Sequence, residues 1–152
     1  MASQDKALPQ IPLGSVGEFR LYGLTLPGME DAWDPKSQVC LPVGNALKLL
    51  LRIFAALWKL NKKTQAQLLK VSPSTLGRYR RGQSVPHRHE QLQRIGDLLR
   101  CYMVLRVLYP RNPEVADSWV TSAHKRFRPN PLVFMQHCGT TEVIRYLHRQ
   151  LG

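Results

Sequence analysis

The stretch Val71-Ser72-Pro73-Ser74-Thr75-Leu76-Gly77-Arg78-Tyr79-Arg80-Arg81-Gly82 decides how this chain is read. Ser72 suits a helix N-cap, because its hydroxyl can accept a backbone N–H of the first turn. Pro73 follows at the first helical position, where its missing N–H costs nothing. Val71 before the cap and Leu76 at the fourth helical position fit a hydrophobic staple. Three start signals coincide, so a helix runs from Pro73 through Tyr79 to Arg81 and stops at Gly82, which tolerates the left-handed conformation. Gly77 inside it costs about 1 kcal/mol against alanine. Lys70 stands at a turn position where glycine is commoner.

Outward from this helix the pattern stays helical. On the N-terminal side, Asn61 caps a short helix over Lys62–Lys70, with Ala66, Leu68 and Leu69 apolar. Before it, from Asn45, residues Leu47, Leu50, Leu51, Phe54, Leu57 and Trp58 form one stripe, with Lys48, Arg52 and Lys59 off it. That is an amphipathic helix on a core. On the C-terminal side a long helix begins near Glu90, its apolar face made of Leu92, Ile95, Leu98, Leu99, Tyr102, Leu105 and Leu108, and Pro110 and Pro113 end it. Asp117–Lys125, around Trp119 and Ala123, is a weaker helix candidate. Leu132–Gln136 suits one helical turn. After Gly139 a last helix, capped by Thr140 or Thr141, carries Val143, Ile144 and Leu147. Residues 1–43 hold five of the eleven prolines and four of the ten glycines, so they read as an irregular arm, partly disordered or packed on a neighbour. Within it Glu18–Tyr22 suits a short strand, and Trp33 an anchor to another subunit.

The expected fold is all-α: an irregular N-terminal arm (1–43), a helix-turn-helix domain (44–109) and a small helical C-terminal domain (110–152). The 152 residues are 43% apolar, enough for a real core. Charge is distributed unevenly. The arm has three basic residues against five acidic ones (net −2), and the remainder nineteen against five (net +14). A basic module of this kind draws polyanions, nucleic acid first, then an acidic protein or an anionic membrane surface.

Two short helices joined by a tight turn, the second rich in Ser, Thr and Arg, form the DNA-reading arrangement in which the second helix enters the major groove. Small hydroxyl residues at its start reach phosphates and base edges. Arg78, one turn on, can grip guanine O6 and N7. Leu76 and Tyr79 point the other way, into the core. Lys62, Lys63, Arg80, Arg81 and Arg88 suit phosphate contacts. The DNA-binding candidates are Ser72, Ser74, Thr75, Arg78, Arg81, Lys62 and Lys63.

Other chemistries have little support. Cys40, Cys101 and Cys138 show no CxxC spacing, so neither a disulfide framework nor a zinc site is expected, and Cys101 reads as a buried small hydrophobe. His87 and His89 lack a third ligand nearby, and His124, His137 and His148 lack a spaced partner set. The adjacent His137 and Cys138 have no orienting acid. Asp97 and Glu114 have no partner for acid–base work. No phosphate-cradling glycine loop is present. No catalytic residue, cofactor or metal is expected. Ala46–Leu57 is too short and, with Lys48 and Arg52, too charged to span a bilayer. The N-terminus lacks the basic-then-apolar order of a secretory signal, so a reducing, cytoplasmic, nucleoid-associated setting is the expectation.

The segment from Ala66 to Gly82 resembles the Cro/CI-like Xre repressor class. Further on, Glu90-Gln91-Leu92-Gln93-Arg94-Ile95, a long helix, and Ala116-Asp117-Ser118-Trp119 are similar to the Xre/MbcA/ParS antitoxin family. Pro131-Leu132-Val133-Phe134-Met135, Cys138-Gly139 and Val143-Ile144-Arg145-Tyr146-Leu147 look like that family's C-terminal toxin-binding domain. The chain departs from the family at Phe127-Arg128-Pro129-Asn130, where members usually carry a glycine-containing loop. The resemblance implies an antitoxin that covers the active-site cleft of a RES-domain, NAD-degrading toxin and represses its own operon. The toxin-binding candidates it implies are Trp119, Leu132, Met135, Arg145, Tyr146, His148, Arg149, Leu151 and Gly152, the last with a carboxylate able to enter a cationic nucleotide cleft. The implied partners are that toxin and operator double-stranded DNA. Self-association into a homodimer, through the arm or the 90–109 helix, is expected from how such readers bind half-sites. The alternatives are a dimeric repressor with no toxin partner, and a basic adaptor for an acidic protein.

Overall fold

A computed structural model describes residues 10–15 and 38–151. Two strands come first, β1 (Gln10–Ser15) and β2 (Gln38–Pro42), paired antiparallel with Ile11 opposite Leu41 and Pro12 opposite Cys40. These stretches of the segment read as an irregular arm are therefore regular structure, packed on their own chain. Ile11 and Leu13 point inward and are buried, while Gln10 and Pro12 are exposed. Pro12 is tolerated because each strand of a two-stranded sheet is an edge and one face of the ladder needs no donor. The register shifts between Pro12 and Gly14, a bulge at Leu13. Glu18–Tyr22 and Trp33 lie outside the described residues.

Helix α1 (Val43–Arg52) starts directly at Pro42 and continues as a widened π turn over Ile53–Leu57. There Trp58 N–H donates to the Ile53 carbonyl at 2.9 Å, and Leu60 N–H to Phe54 at 2.8 Å. Lys59, left-handed at φ 55°, ends it. The expected stripe is on the core side: Leu47, Leu50, Phe54 and Trp58 are buried, Leu51 and Leu57 half-buried, and Lys48, Arg52 and Lys59 exposed.

The next two helices are α2 (Lys62–Leu69) and α3 (Pro73–Arg80). Helix α4 (His89–Leu108) is the central element. Strand β1, α1 and two of the C-terminal helices pack on it, so Gly96, Asp97, Cys101 and Val104 are buried beside the expected Ile95, Leu98, Leu99 and Leu105. Gly96 marks where β1 crosses: a Cβ there would stand 3.3 Å from Ile11 Cγ2 and 3.5 Å from the Pro12 carbonyl oxygen.

The C-terminal helices differ from expectation in their limits. Pro113 does not only end α4. It is the first residue of α5 (Pro113–Ser118), which tightens to a 3₁₀ turn over Trp119–Thr121. The helix therefore lies earlier than Asp117–Lys125, and Ala123 falls in the loop after it. Helix α6 (Pro131–Cys138) is two turns rather than one, because Asn130 Oδ1 accepts the Val133 N–H at 2.9 Å and caps it. Helix α7 (Thr141–Gln150) follows with Val143, Ile144 and Leu147 buried. Thr140 stands at its N-cap position but makes no cap bond. Its hydroxyl donates instead to Asp97 Oδ2 at 2.9 Å, on α4. The buried residues form one continuous cluster from Ile11 to Leu147. Among the described residues no helix is long and apolar enough to cross a membrane.

Candidate nucleic-acid interface

The reader is built from local chemistry. Asn61 Oδ1 accepts the Thr64 N–H at 2.8 Å and starts α2, while Ser72 Oγ accepts the Thr75 N–H at 3.1 Å and starts α3. Between them Lys70 adopts φ 55°, ψ 47°, the left-handed turn that redirects the chain. Gly82, at φ 71°, follows α3 as its terminator. Gln65, buried in α2, reaches back with Nε2 to the Leu60 carbonyl at 2.9 Å and locks the helix pair to the end of α1. Leu76 and Tyr79 are buried, which fixes the inward face of α3. Burial raises the Tyr79 phenol above its ordinary pKa, with the Arg78 charge working against it.

The opposite face presents Ser74, Arg78 and Arg81, all exposed. Thr75 is only half-buried on the flank, and its hydroxyl is committed. Oγ1 accepts from Ser72 Oγ at 3.0 Å and from Arg78 Nη2 at 3.0 Å. Its first task in this structure is to brace the arginine, not to reach a base. Ser72 is likewise spent on the cap. The exposed groups of this face are thus Ser74, Arg78 and Arg81, with Lys62 and Lys63 exposed at the first turn of α2. Two cations at a helix start oppose its dipole. A bound anion would relieve that opposition, because backbone N–H groups and ammonium groups then point at the same charge.

Two basic residues of α1 that the sequence does not single out stand beside the Tyr79 side of α3. Lys48 and Arg52 line a groove of about 470 Å³ with Tyr79, Arg80 and Ser84, running from α1 past the end of α3. The signal available was their position off the apolar stripe of α1, but that is the position of any solvated charge. Arg88 is exposed at the N-cap position of α4.

The C-terminal candidates divide. Trp119 and Tyr146 are half-buried and stacked, with centroids 6.3 Å apart and planes at 21°. His124 is edge-on to both, at 5.4 Å and 5.1 Å, and Arg126 lies over the Tyr146 ring at 5.8 Å. Phe127, completely enclosed, joins the cluster from the loop that departs from the resembled family. Arg145, paired with Glu142 at 3.3 Å, and Arg149 are exposed; His148 and Leu151 are half-buried. Leu132 and Met135 do not face a partner: both are buried in the chain's own core. Their i, i+3 spacing on a helix is what a core stripe also requires. Gly152 lies outside the described residues.

His87 and His89 are exposed, and no three His, Cys, Asp or Glu side chains among the described residues come together as a metal site. Cys101 is enclosed and its thiol pushed up to about 12 by burial, with Asp97 adding to the shift, so it is a core residue and not a nucleophile.

No curated protein and no solved structure matches the chain. Residues 42–100, which begin at the end of β2 and run through the reader into the middle of α4, match the family model of the antitoxin Xre-like helix-turn-helix domain.

Proposed function

We propose that the chain is the antitoxin of a toxin–antitoxin pair, binding operator DNA through α2 and α3 and a cognate toxin through residues 110–152. The observation that carries the DNA half is the capped α3 with Ser74, Arg78 and Arg81 exposed on one side and Leu76 and Tyr79 buried on the other. Ser74 and Arg78 read base edges, while Lys62, Lys63 and Arg81 take phosphates. The protein binds as a homodimer, with half-sites one helical turn apart, about 34–36 Å.

The toxin half rests on the rim of Trp119, Tyr146, Arg126, Arg145 and Arg149, where large half-buried rings sit among exposed guanidinium groups. Aromatic and Arg side chains are the types that carry protein interfaces. The toxin class is the RES-domain enzyme that consumes NAD. The C-terminal segment closes over its cleft, with the Arg149 and His148 side chains reaching the site.

The test is growth rescue. The adjacent gene product is expressed alone, with this chain, and with a Trp119→Ala, Tyr146→Ala double variant, and cellular NAD is measured in each case. Growth arrest with NAD loss, reversed by the chain and not by the variant, establishes the reading. A harmless neighbour that does not co-purify leaves a dimeric repressor. Arrest without NAD loss retains the antitoxin and removes the RES class.

A further inference from the structure

Gly77 is the anomaly of α3. It sits in the middle of an eight-residue helix, where glycine is the costliest residue short of proline, at ordinary helical backbone angles that do not require it. The space it leaves is taken. A Cβ at Gly77 would stand 3.3 Å from Arg81 Nη1 and 3.7 Å from Nη2. The guanidinium of Arg81 lies over the helix at that point, and its Nε–H donates to Gln83 Oε1 at 3.3 Å. It is held on one side by the missing side chain and on the other by an amide. Beside it opens a depression of about 300 Å³ lined by Lys62, Pro73, Leu76, Gly77, Arg80 and Arg81. Three of these six residues are cations, none is an acid, and Lys62 stands at the start of α2, where that helix's own N–H groups lie.

We infer that this depression is a seat for one phosphodiester group, and that Gly77 is the residue that shapes it. The inference rests on the DNA-binding reading and adds to it a positioning residue that touches no base. Three cations around one small hollow repel each other in the free protein, and a dianion or monoanion of phosphate size is the ligand that reverses this. A methyl group at position 77 would push the Arg81 guanidinium a few tenths of an ångström from its place in the hollow. The helix itself would not suffer, because the group displaced is the far end of a flexible side chain. Selection for helix stability alone would favour alanine here.

Gly77→Ala therefore separates two effects that ordinarily travel together. It leaves every charge in place, and raises the melting temperature by roughly 2–4 °C by the gain in helix propensity. Binding to a duplex from the upstream region weakens about threefold, and the slope of log K against log salt falls by less than the roughly 0.9 that one lost phosphate contact gives. The order of preference among mismatched duplexes stays unchanged, because Ser74 and Arg78 are untouched. Arg81→Gln, which alters no backbone and removes the charge, shows a larger loss and the full fall in slope of roughly 0.9. Inorganic phosphate titrated into the wild-type protein shifts the Gly77 amide and Arg81 Nε–H resonances saturably at tens of millimolar, and does so far less in Gly77→Ala.

If Gly77→Ala and Arg81→Gln bind the duplex with wild-type affinity and salt slope, the seat is refuted while the DNA reading stands. If the wild-type chain binds no duplex, the DNA reading fails by itself. The inorganic-phosphate titration then decides the seat: no saturable shift refutes it, and a saturable one reassigns it to a free phosphate compound.

Discussion

Thr75 offers the sharpest test of how the reader works, because the sequence and the structure give it different roles. Read as a sequence, it is a hydroxyl at the start of the recognition helix, placed to touch DNA. In the structure its Oγ1 accepts from Ser72 Oγ and Arg78 Nη2, each at 3.0 Å. Replacing it with valine removes that acceptor and keeps the shape. Stability should barely change. Ser72 Oγ still accepts the Thr75 N–H, its own hydroxyl is exposed and finds water, and Val and Thr have similar helix propensities, so the expected change is below ~0.5 kcal/mol. DNA binding changes more. Arg78, no longer braced, must be ordered on binding, at about 0.5–1.5 kcal/mol for a rotamer-rich side chain, which is roughly twofold to twelvefold in Kd. Arg78→Ala itself should cost about 1–3 kcal/mol if the arginine reads a base. The decisive quantity is the double variant, measured by fluorescence anisotropy on the upstream duplex at one salt concentration. If Thr75 acts through Arg78, Thr75→Val adds nothing once Arg78 is gone, and the coupling energy equals the single-variant loss. Additive losses would refute the bracing argument and restore Thr75 as a direct DNA contact.

Three further outcomes follow from the geometry. Thr140→Val leaves the buried Asp97 Oδ2 without the hydroxyl that donates to it at 2.9 Å, while Arg100 holds the other oxygen. The expected loss is ~2 kcal/mol, a drop of roughly 4–8 °C in melting temperature, and Thr140→Ser should keep most of it; a wild-type melting point for the valine variant would mean that the contact is replaced by water. Ile11→Ala empties a fully enclosed site against α4 and should cost roughly 2–5 kcal/mol in urea unfolding, whereas an unchanged midpoint would detach β1 from the fold. Under native conditions a thiol reagent should modify two of the three cysteines, Cys40 and Cys138, with Cys101 reacting only in denaturant; three rapid reactions would contradict the packing of α4.

What the sequence revealed follows a physical line. Signals confined to a few neighbouring residues were legible: the Asn61 and Ser72 caps, Pro73 at the first helical position, the terminator Gly82, and the stripes of α1 and α4. Each is settled by atoms within a turn of the residue concerned. Signals that depend on a distant partner were not. Strand β1 has only Ile11 and Leu13 to show its alternation, and Pro12 and Gly14 interrupt it. Its partner β2 begins at Gln38, and its floor is Gly96, so nothing within one window marks it. Pro113 was ambiguous in kind, since the same ring closes one helix and opens the next. Thr140 looked like a cap because a cap is its local option, yet the buried carboxylate of Asp97 claims the hydroxyl from 43 residues away. At the interface the residue types were legible and their duties were not. Ser72 and Thr75 are hydroxyls in the expected place, but the cap and the Arg78 brace use them first. Leu132 and Met135 have the spacing of an interface stripe and of a core stripe alike, and the core has them.

The same contacts bear on how a partner at the C-terminal end would meet the reader. The buried core runs unbroken across the boundary after residue 109. Helix α7 packs along α4, Thr140 is bonded to Asp97, and Arg106 of α4 faces Asp117 of α5 at 3.7 Å. Most directly, Gln136 on α6 donates through Nε2 to Gln67 Oε1 on α2 at 2.8 Å. Helix α2 is the element that positions α3, so the support for the recognition helix includes a residue of the C-terminal segment. A molecule that grips Trp119 and Tyr146 therefore grips a body whose core is continuous with Leu76 and Tyr79. Whatever displaces α6 must break the Gln67 contact or carry α2 with it. The strength of that one exposed amide pair is small, about 0.5–1.5 kcal/mol, so it can bias the reader's position without fixing it. Closer control would have to come through the packing of α7 on α4, where Val143 and Leu147 are enclosed with Leu98 and Leu105 in one core.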